Sequence, residues 1–282
     1  YMEGLAELLG THQLVDGKLT LGYFPADPET VPFWGRIRLV QDTVRAGQAL
    51  SIVEVMAYPI NAELENEAYG WCWAIAAFFD GHPRYRQRFR QLLDEAAGDD
   101  FNRRFAELFA DDWPALNIEW QTFIHEVDFG YDLVRNAIEF RAGEPLAETG
   151  QTVSVAADRG WQSSGVHLQA GMRYQLTASG RYQVAKEPKP WWCEPGGVTI
   201  RYYRGQPLGK LLALLVPDDV EENAWPQPVA IGQQGEMVAD RGGTLYLRIN
   251  DLPGELADNA GSLEVRIHAN ADADPNRGIS SP

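Results

Sequence analysis

The sequence predicts an α + β multidomain chain, a mainly helical N-terminal part followed by an all-β sandwich. Three observations carry this. Between Met2 and about Arg141 the apolar residues recur at three and four, as in Trp71, Ile75, Phe78 and Phe79 and again in Phe101, Phe105, Leu108 and Phe109. That is the spacing of helices that bury one face. From Gln151 onward they alternate, as in Tyr174, Leu176 and Ala178, in Leu245, Leu247 and Ile249, and in Leu263, Val265 and Ile267, which is the period of a strand. The two periods do not interleave, so a two-sheet sandwich is favoured over any βαβ arrangement. The chain's 282 residues, 45% of them hydrophobic, suffice for about two cores.

Taken in order, the first residues read as the middle of a helix, and the helical pattern breaks at Gly10. Between Gly10 and Asp27, Leu14, Val15, Leu19, Leu21 and Tyr23 flank an Asp16-Gly17 turn, which predicts one short hairpin. Helices resume, and Gly81-His82-Pro83 punctuates two of them. Gly143, Pro145 and Gly150 then interrupt periodicity. The expected organisation is a helical subdomain over 1–143, a linker over 144–150, a sandwich over 151–268 and a tail over 269–282, polar and aperiodic from Ala271. Charge follows the same cut: 25 acids against 12 bases before residue 150, and 15 against 12 after it.

With 24 Lys+Arg against 40 Asp+Glu and a formal charge of −16, the chain has little with which to neutralise phosphates, so nucleic acid is not an expected partner. No apolar run approaches the roughly 18 residues of a membrane span. Cys72 and Cys193 lie in different predicted domains and are expected as two unpaired thiols; neither a disulfide framework nor a cysteine zinc site is spelled out. Tyr1 stands where a helix is already under way, so further sequence upstream is expected, and a signal peptide with it. The expected location is extracellular or the cell envelope.

Glu3 and Glu7 lie four apart on one face of the first helix. On residue types alone such a pair reads as a solvated acidic face. The string Glu3-Gly4-Leu5-Ala6-Glu7 also resembles the Glu-Gly-x-Ala segment of gluzincin metallopeptidases, in which the glutamate is the third zinc ligand after a His-Glu-x-x-His helix. The resemblance implies Glu3 as third zinc ligand, Glu7 as a carboxylate orienting a ligating histidine, and a peptide substrate. The departure is large, because the chain contains no His-Glu-x-x-His: in its only His-Glu pair, His125-Glu126, Phe129 stands where the second histidine would fall. Zinc is therefore expected only if that helix exists upstream, and the chain as given is expected to be inactive as a peptidase. Thermolysin-type members also carry Asp where Glu7 stands. Glu67 to Ala74 and Gly81-His82-Pro83-Arg84-Tyr85-Arg86 resemble the subdomain that follows the zinc helix in bacterial gluzincin-like proteins. Tyr58 or Tyr69 is the candidate oxyanion-stabilising phenol, with a packed aromatic core as the plainer reading of Tyr69. His125-Glu126-Val127-Asp128 reads as a solvated helix end.

Near the C-terminus, Asn250, Asp251, Asp258 and Asn259 stand at the two ends of a short loop. Such a loop either folds its oxygens onto one hard cation or is an Asx-rich turn capping its own backbone; spacing leaves both open. The loop resembles the Asn-Asp-x-Pro-Gly-x-x-x-Asn-Asn-Ser-Gly-Ser signature of PA-IL-like calcium-dependent galactose lectins, and the likeness runs over roughly 151–268. It implies a galactose-binding-like sandwich, a calcium site and a carbohydrate partner. By that resemblance Asp251, Asp258 and Asn259 are side-chain calcium ligands, Glu255 and Val184 supply main-chain carbonyls, and Asp251 also serves the sugar. Asp258 stands where the family has asparagine. The segment Trp192 to Arg201 replaces the family's sugar-contacting His and Gln, so galactose specificity does not transfer. Trp191 and Trp192 remain candidates for stacking a sugar, one of them being expected in the core. Tyr202, Tyr203 and Arg204 read as a continuing strand.

Overall fold

In the computed structural model, residues 2–31, 34–59, 66–92, 100–219 and 225–270 are described; the expected tail beyond Asn270 lies outside them. The chain is an α + β multidomain protein that divides into two compact units. One comprises Tyr1–Ala137 with Glu221–Trp225, the other Ile138–Val220 with Pro226–Pro282.

The helical unit begins with α1 (Met2–Gly10) and a hairpin of β1 (His12–Val15) and β2 (Lys18–Leu21). Asp16 and Gly17 form its turn with φ of 50° and 75°, the left-handed pair that matches strand twist. All of its strand residues are exposed. Then come α2 (Arg36–Arg45), α3 (Ile52–Met56), α4 (Asn66–Gly81), α5 (Arg86–Gln91), α6 (Phe101–Phe109), α7 (Trp113–Glu126) and α8 (Leu133–Asn136). The capping box of Ser51 and Glu54 starts α3, satisfying donors that a short helix would leave open. Helix α4 is central and packs against α1, α2, α3, α5, α7 and α8. Its Trp71, Trp73, Phe78 and Phe79 are buried and lead the core.

Small residues let α1 and α2 approach α4. A Cβ on Gly4 would stand 2.6 Å from the Cys72 carbonyl oxygen, and one on Gly70 would stand 2.9 Å from Leu39 Cβ. Gly4→Ala is therefore expected to destabilise the helical unit by about 1–3 kcal/mol, overpacking outweighing the helix propensity gained. Urea unfolding followed by helical circular dichroism checks this; a more stable variant would show that α1 is not seated on α4.

The second unit begins before the expected linker. Glu139 bridges Gln162, and β3 (Glu144–Pro145) pairs in parallel with β5 (Gln162–Leu168), so the Gly/Pro-rich stretch is a sheet edge. The remaining strands are β4 (Gln151–Ala156), β6 (Arg173–Ser179), β7 (Tyr182–Ala185), β8 (Trp191–Cys193), β9 (Val198–Tyr203), β10 (Gln206–Leu208), β11 (Leu211–Pro217), β12 (Val229–Ala230), β13 (Gln234–Val238), β14 (Gly243–Ile249) and β15 (Ser262–Ala269). One sheet has the order β12-β11-β14-β5-β3 and the other β13-β6-β15-β4, with β7–β8 and β9–β10 as separate ribbons. Their inward residues, among them Leu176, Leu211, Leu247 and Val265, form one core. Arg204 is not strand: with φ of 50°, beside Gly205 at 74°, it turns the β9–β10 hairpin. Among the described residues no helix is long and apolar enough to cross a membrane, and both cysteines are free.

Candidate functional site

The loop that follows β14 is fixed at both ends. Asn250 is buried, and its Nδ2 donates to the carbonyls of Tyr203, Gln206 and Pro207, each at 3.0 Å. It clamps the β9–β10 hairpin and is turned away from the loop's other oxygens. Arg248 is buried, lies 5.2 Å from the Trp161 ring centroid and donates from Nη2 to the Asp251 carbonyl at 3.2 Å.

Asp251 is fully buried. Its Oδ1 accepts the Leu252 N–H and its Oδ2 accepts Asn259 Nδ2, both at 2.7 Å. Burial pushes its pKa up to about 6, against the opposing pull of the Asn259 and Leu252 hydrogen bonds and of Arg248. The far end of the loop is brought back by a single 3-10 turn, Leu256–Asp258. Asp258 Oδ2 accepts the Lys186 backbone N–H at 3.1 Å, and the Asp258 carbonyl accepts Gln183 Nε2 at 2.7 Å. Asn259 Nδ2 also donates to the Ala157 carbonyl at 3.1 Å.

Two oxygens are left over. Asp258 Oδ1 and Asn259 Oδ1 are buried and have no hydrogen-bond partner among the described residues. Each such group costs about 1–3 kcal/mol if nothing meets it, and a pair in one loop calls for an ion or water. The Glu255 side chain is held by Arg201 at 2.7 Å, while its carbonyl accepts a long 3.5 Å contact from Asp258 N. Val184 lies where the β7–β8 register shifts and has no residue opposite it on β8. The donor set is all oxygen, two of its side chains are carboxylates, and two of its oxygens are unmet, which fits a hard cation such as calcium.

Beside this loop, β8 separates the two tryptophans by alternation. Trp191 is half-buried against the sandwich core, and Trp192 is 51% exposed. Trp192 stands opposite Gln183 across the ribbon, and Gln183 also bridges Ala260. Sequence reasoning missed Gln183, Lys186, Arg201 and Arg248, because residues far apart in the chain meet here only through strand pairing.

In the helical unit, Glu3 is exposed, and among the described residues it makes no hydrogen bond or ion pair. Glu7 is paired with Arg36 at 2.6 Å, and Arg36 lies 5.5 Å from the Tyr69 ring centroid. Tyr58 and Tyr69 are both half-buried, Tyr58 packing on the helical core. Among the described residues no group of three or more His, Cys, Asp or Glu is placed to hold a metal, so nothing in this unit completes a zinc site around Glu3. The solvated helix end expected at His125-Glu126 is not found. Glu126 is 4% exposed, and His125 stacks on Trp225 with ring centroids 5.4 Å apart. The pattern could not show this, because the stacking partner comes from 100 residues further on in the chain.

A buried network joins the α4–α5 connection to α7. Glu119 receives His82 Nε2 at 3.1 Å and Arg84 Nη1 at 2.9 Å on its two oxygens, and the Tyr85 hydroxyl donates to it at 2.5 Å. Burial, then the Glu119 charge, pushes the Tyr85 hydroxyl well above its ordinary pKa. The group is satisfied within the fold.

No family model and no curated protein matches the chain. Solved structures give weak likenesses. The N-terminal domain of EclA, a PllA-like lectin, is 20% identical over 42% of this chain and 95% of its own, with a TM-score of 0.33. PliG from Aeromonas hydrophila, a periplasmic inhibitor of g-type lysozyme, is 7% identical over 46% and 95%, with a TM-score of 0.26. IMPa metallopeptidase, in a complex with T-antigen, is 14% identical over 93% of this chain and 26% of its own, with a TM-score of 0.26. The chain thus spans about a quarter of that metallopeptidase.

Proposed function

We propose that the chain is part of a secreted zinc metallopeptidase-like protein whose β unit binds carbohydrate through calcium. One observation carries the calcium reading: Asp258 Oδ1 and Asn259 Oδ1 are buried without partners beside the buried carboxylate of Asp251. Asp251, Asp258 and Asn259 would hold the ion with their side chains, and Glu255 and Val184 with their carbonyls. When bound, calcium supplies open coordination positions for sugar hydroxyls. Asp251 is fully buried and would act on the sugar through the ion, while the exposed indole of Trp192 offers a flat apolar face to the sugar's C–H groups. Trp191 supports the ribbon from the core side.

Calcium titration with melting as the readout tests this, because a ligand that binds only the native state raises its stability. At a concentration about 100 times Kd the melting temperature of the β unit should rise by roughly 5–10 °C. Asp251→Ala should abolish the rise. Glu255→Ala should keep most of it, since its side chain is engaged by Arg201. No shift at millimolar calcium ends the reading.

In the helical unit the same proposal assigns Glu3 as the third zinc ligand wherever a His-Glu-x-x-His helix precedes it. That its carboxylate makes no hydrogen bond or ion pair among the described residues supports that role. The Glu7–Arg36 ion pair favours a second reading, a non-catalytic adhesion or structural protein in which the β unit alone binds. Zinc bound by the natural full-length product, and lost in Glu3→Ala, decides for the first; a full-length product without zinc decides for the second.

A further inference from the structure

The β7–β8 ribbon joins an exposed tryptophan to a cation that, among the described residues, makes no hydrogen bond or ion pair and lies over that tryptophan's ring. Residues opposite one another across a ribbon project to the same side, so Trp192 and Gln183 share a face. Gln183 reaches the Asp258 carbonyl at 2.7 Å, so this face is the one turned toward the loop. Arg181 precedes Gln183 by two and follows the same alternation, and its guanidinium lies 5.4 Å from the Trp192 ring centroid. Ala260, Gln183 and Trp192 stand abreast, so about two strand spacings, roughly 10 Å, separate the loop from the indole. One sugar ring and its substituents bridge that span.

The cations around the loop differ in what they already hold. Arg201 is committed to Glu255. Arg248 is buried and spends its donors on the Ile249 and Asp251 carbonyls. Arg181 is exposed and, among the described residues, makes no hydrogen bond or ion pair. Lys186 is also exposed; its backbone N–H serves Asp258, and its ammonium has no partner among the described residues. Of the nearby acids, Glu194 accepts Gln233 Nε2 at 3.0 Å, and Glu187 is exposed beside Lys186. A divalent cation offsets the charges of Asp251 and Asp258, and Arg201 offsets Glu255. The loaded site then presents Arg181 and Lys186 on a chain whose net charge is −16.

We propose that the ligand of this site is a carboxylate-bearing sugar, whose carboxylate is taken by the Arg181 guanidinium while its ring rests on Trp192. This rests on the carbohydrate reading above and names its ligand class. A guanidinium presents its donors as a planar fork that matches a carboxylate in a two-bond pairing. A neutral sugar uses the calcium and the indole and leaves the fork idle.

The test is calorimetric titration of the full chain in saturating calcium with methyl galactoside, methyl galacturonoside and N-acetylneuraminic acid. A carboxylated sugar should bind about tenfold tighter than the neutral galactoside, and the stronger of the two acids identifies a uronic or a sialic source. The preference should shrink as salt is raised. Arg181→Ala should bring the ratio of acidic to neutral affinity close to one, and Arg181→Lys should restore part of it. Equal affinities for acidic and neutral sugars overturn the inference and leave the carbohydrate reading standing, as does a preference that survives Arg181→Ala. Binding of no sugar, with or without calcium, overturns both.

Discussion

Glu119→Ala lowers the stability of the helical unit by about 3–5 kcal/mol, the range for removing one partner from a buried charged network. Glu119 is 3% exposed and His82 2%, and the Tyr85 hydroxyl is buried with them. Without the carboxylate, the His82 Nε2–H and the Tyr85 O–H have no acceptor in a site closed to water. Arg84, one-third exposed at its side chain, turns outward and recovers hydration, which keeps the loss from being larger. Glu119→Gln keeps the volume and one acceptor oxygen but sets an amide donor against the donors now facing the second oxygen, so it falls between. Urea unfolding followed by helical circular dichroism measures both. A loss below about 1 kcal/mol for Glu119→Ala would mean that water already reaches the network.

The fold class was legible because it rests on period. The threes and fours of Trp71 to Phe79 mark a helix and the alternation of Leu245 to Ile249 marks a strand, and these residues enter the two cores, although α4 and β14 are buried on nearly every side. The loop oxygens were legible for a related reason, since Asp251, Asp258 and Asn259 fall within one short segment. What Asn250 does was not legible, because only the docked hairpin reveals that its amide is spent on three carbonyls. The contacts that complete the site are non-local: Gln183 meets Asp258 across 75 residues and Arg201 meets Glu255 across 54. No spacing rule joins such positions. Glu119 had a signal that went unused. Helix α7 is buried on nearly every side, and an acid inside such a helix requires partners.

Asp251 makes the β unit less stable in chelator as pH rises. Its folded pKa is about 6, against about 3.9 for an unfolded aspartate, so the folded state holds this proton more tightly. That contribution to stability is fully present below about pH 3.9 and is lost as pH climbs through about 6, to a total of about 3 kcal/mol. Asp251→Asn removes the buried charge and with it this pH dependence. In chelator the variant should therefore match the parent near pH 4 and exceed it near pH 7. The gain should stay below the full 3 kcal/mol, because the new amide faces Asn259 Nδ2, which must turn and present its unpaired Oδ1 instead. If the proposed calcium site is right, calcium should reverse the order. Its ligand must be the carboxylate, so the parent should gain stability from calcium at pH 7 and little near pH 4, while Asp251→Asn gains little at either. Urea unfolding of the two chains at both pH values, in chelator and in calcium, reads all of this. A parent that is more stable at pH 7 than the variant even in chelator would mean that Asp251 is already compensated within the fold. The orphaned oxygens beside it would then call for water rather than an ion.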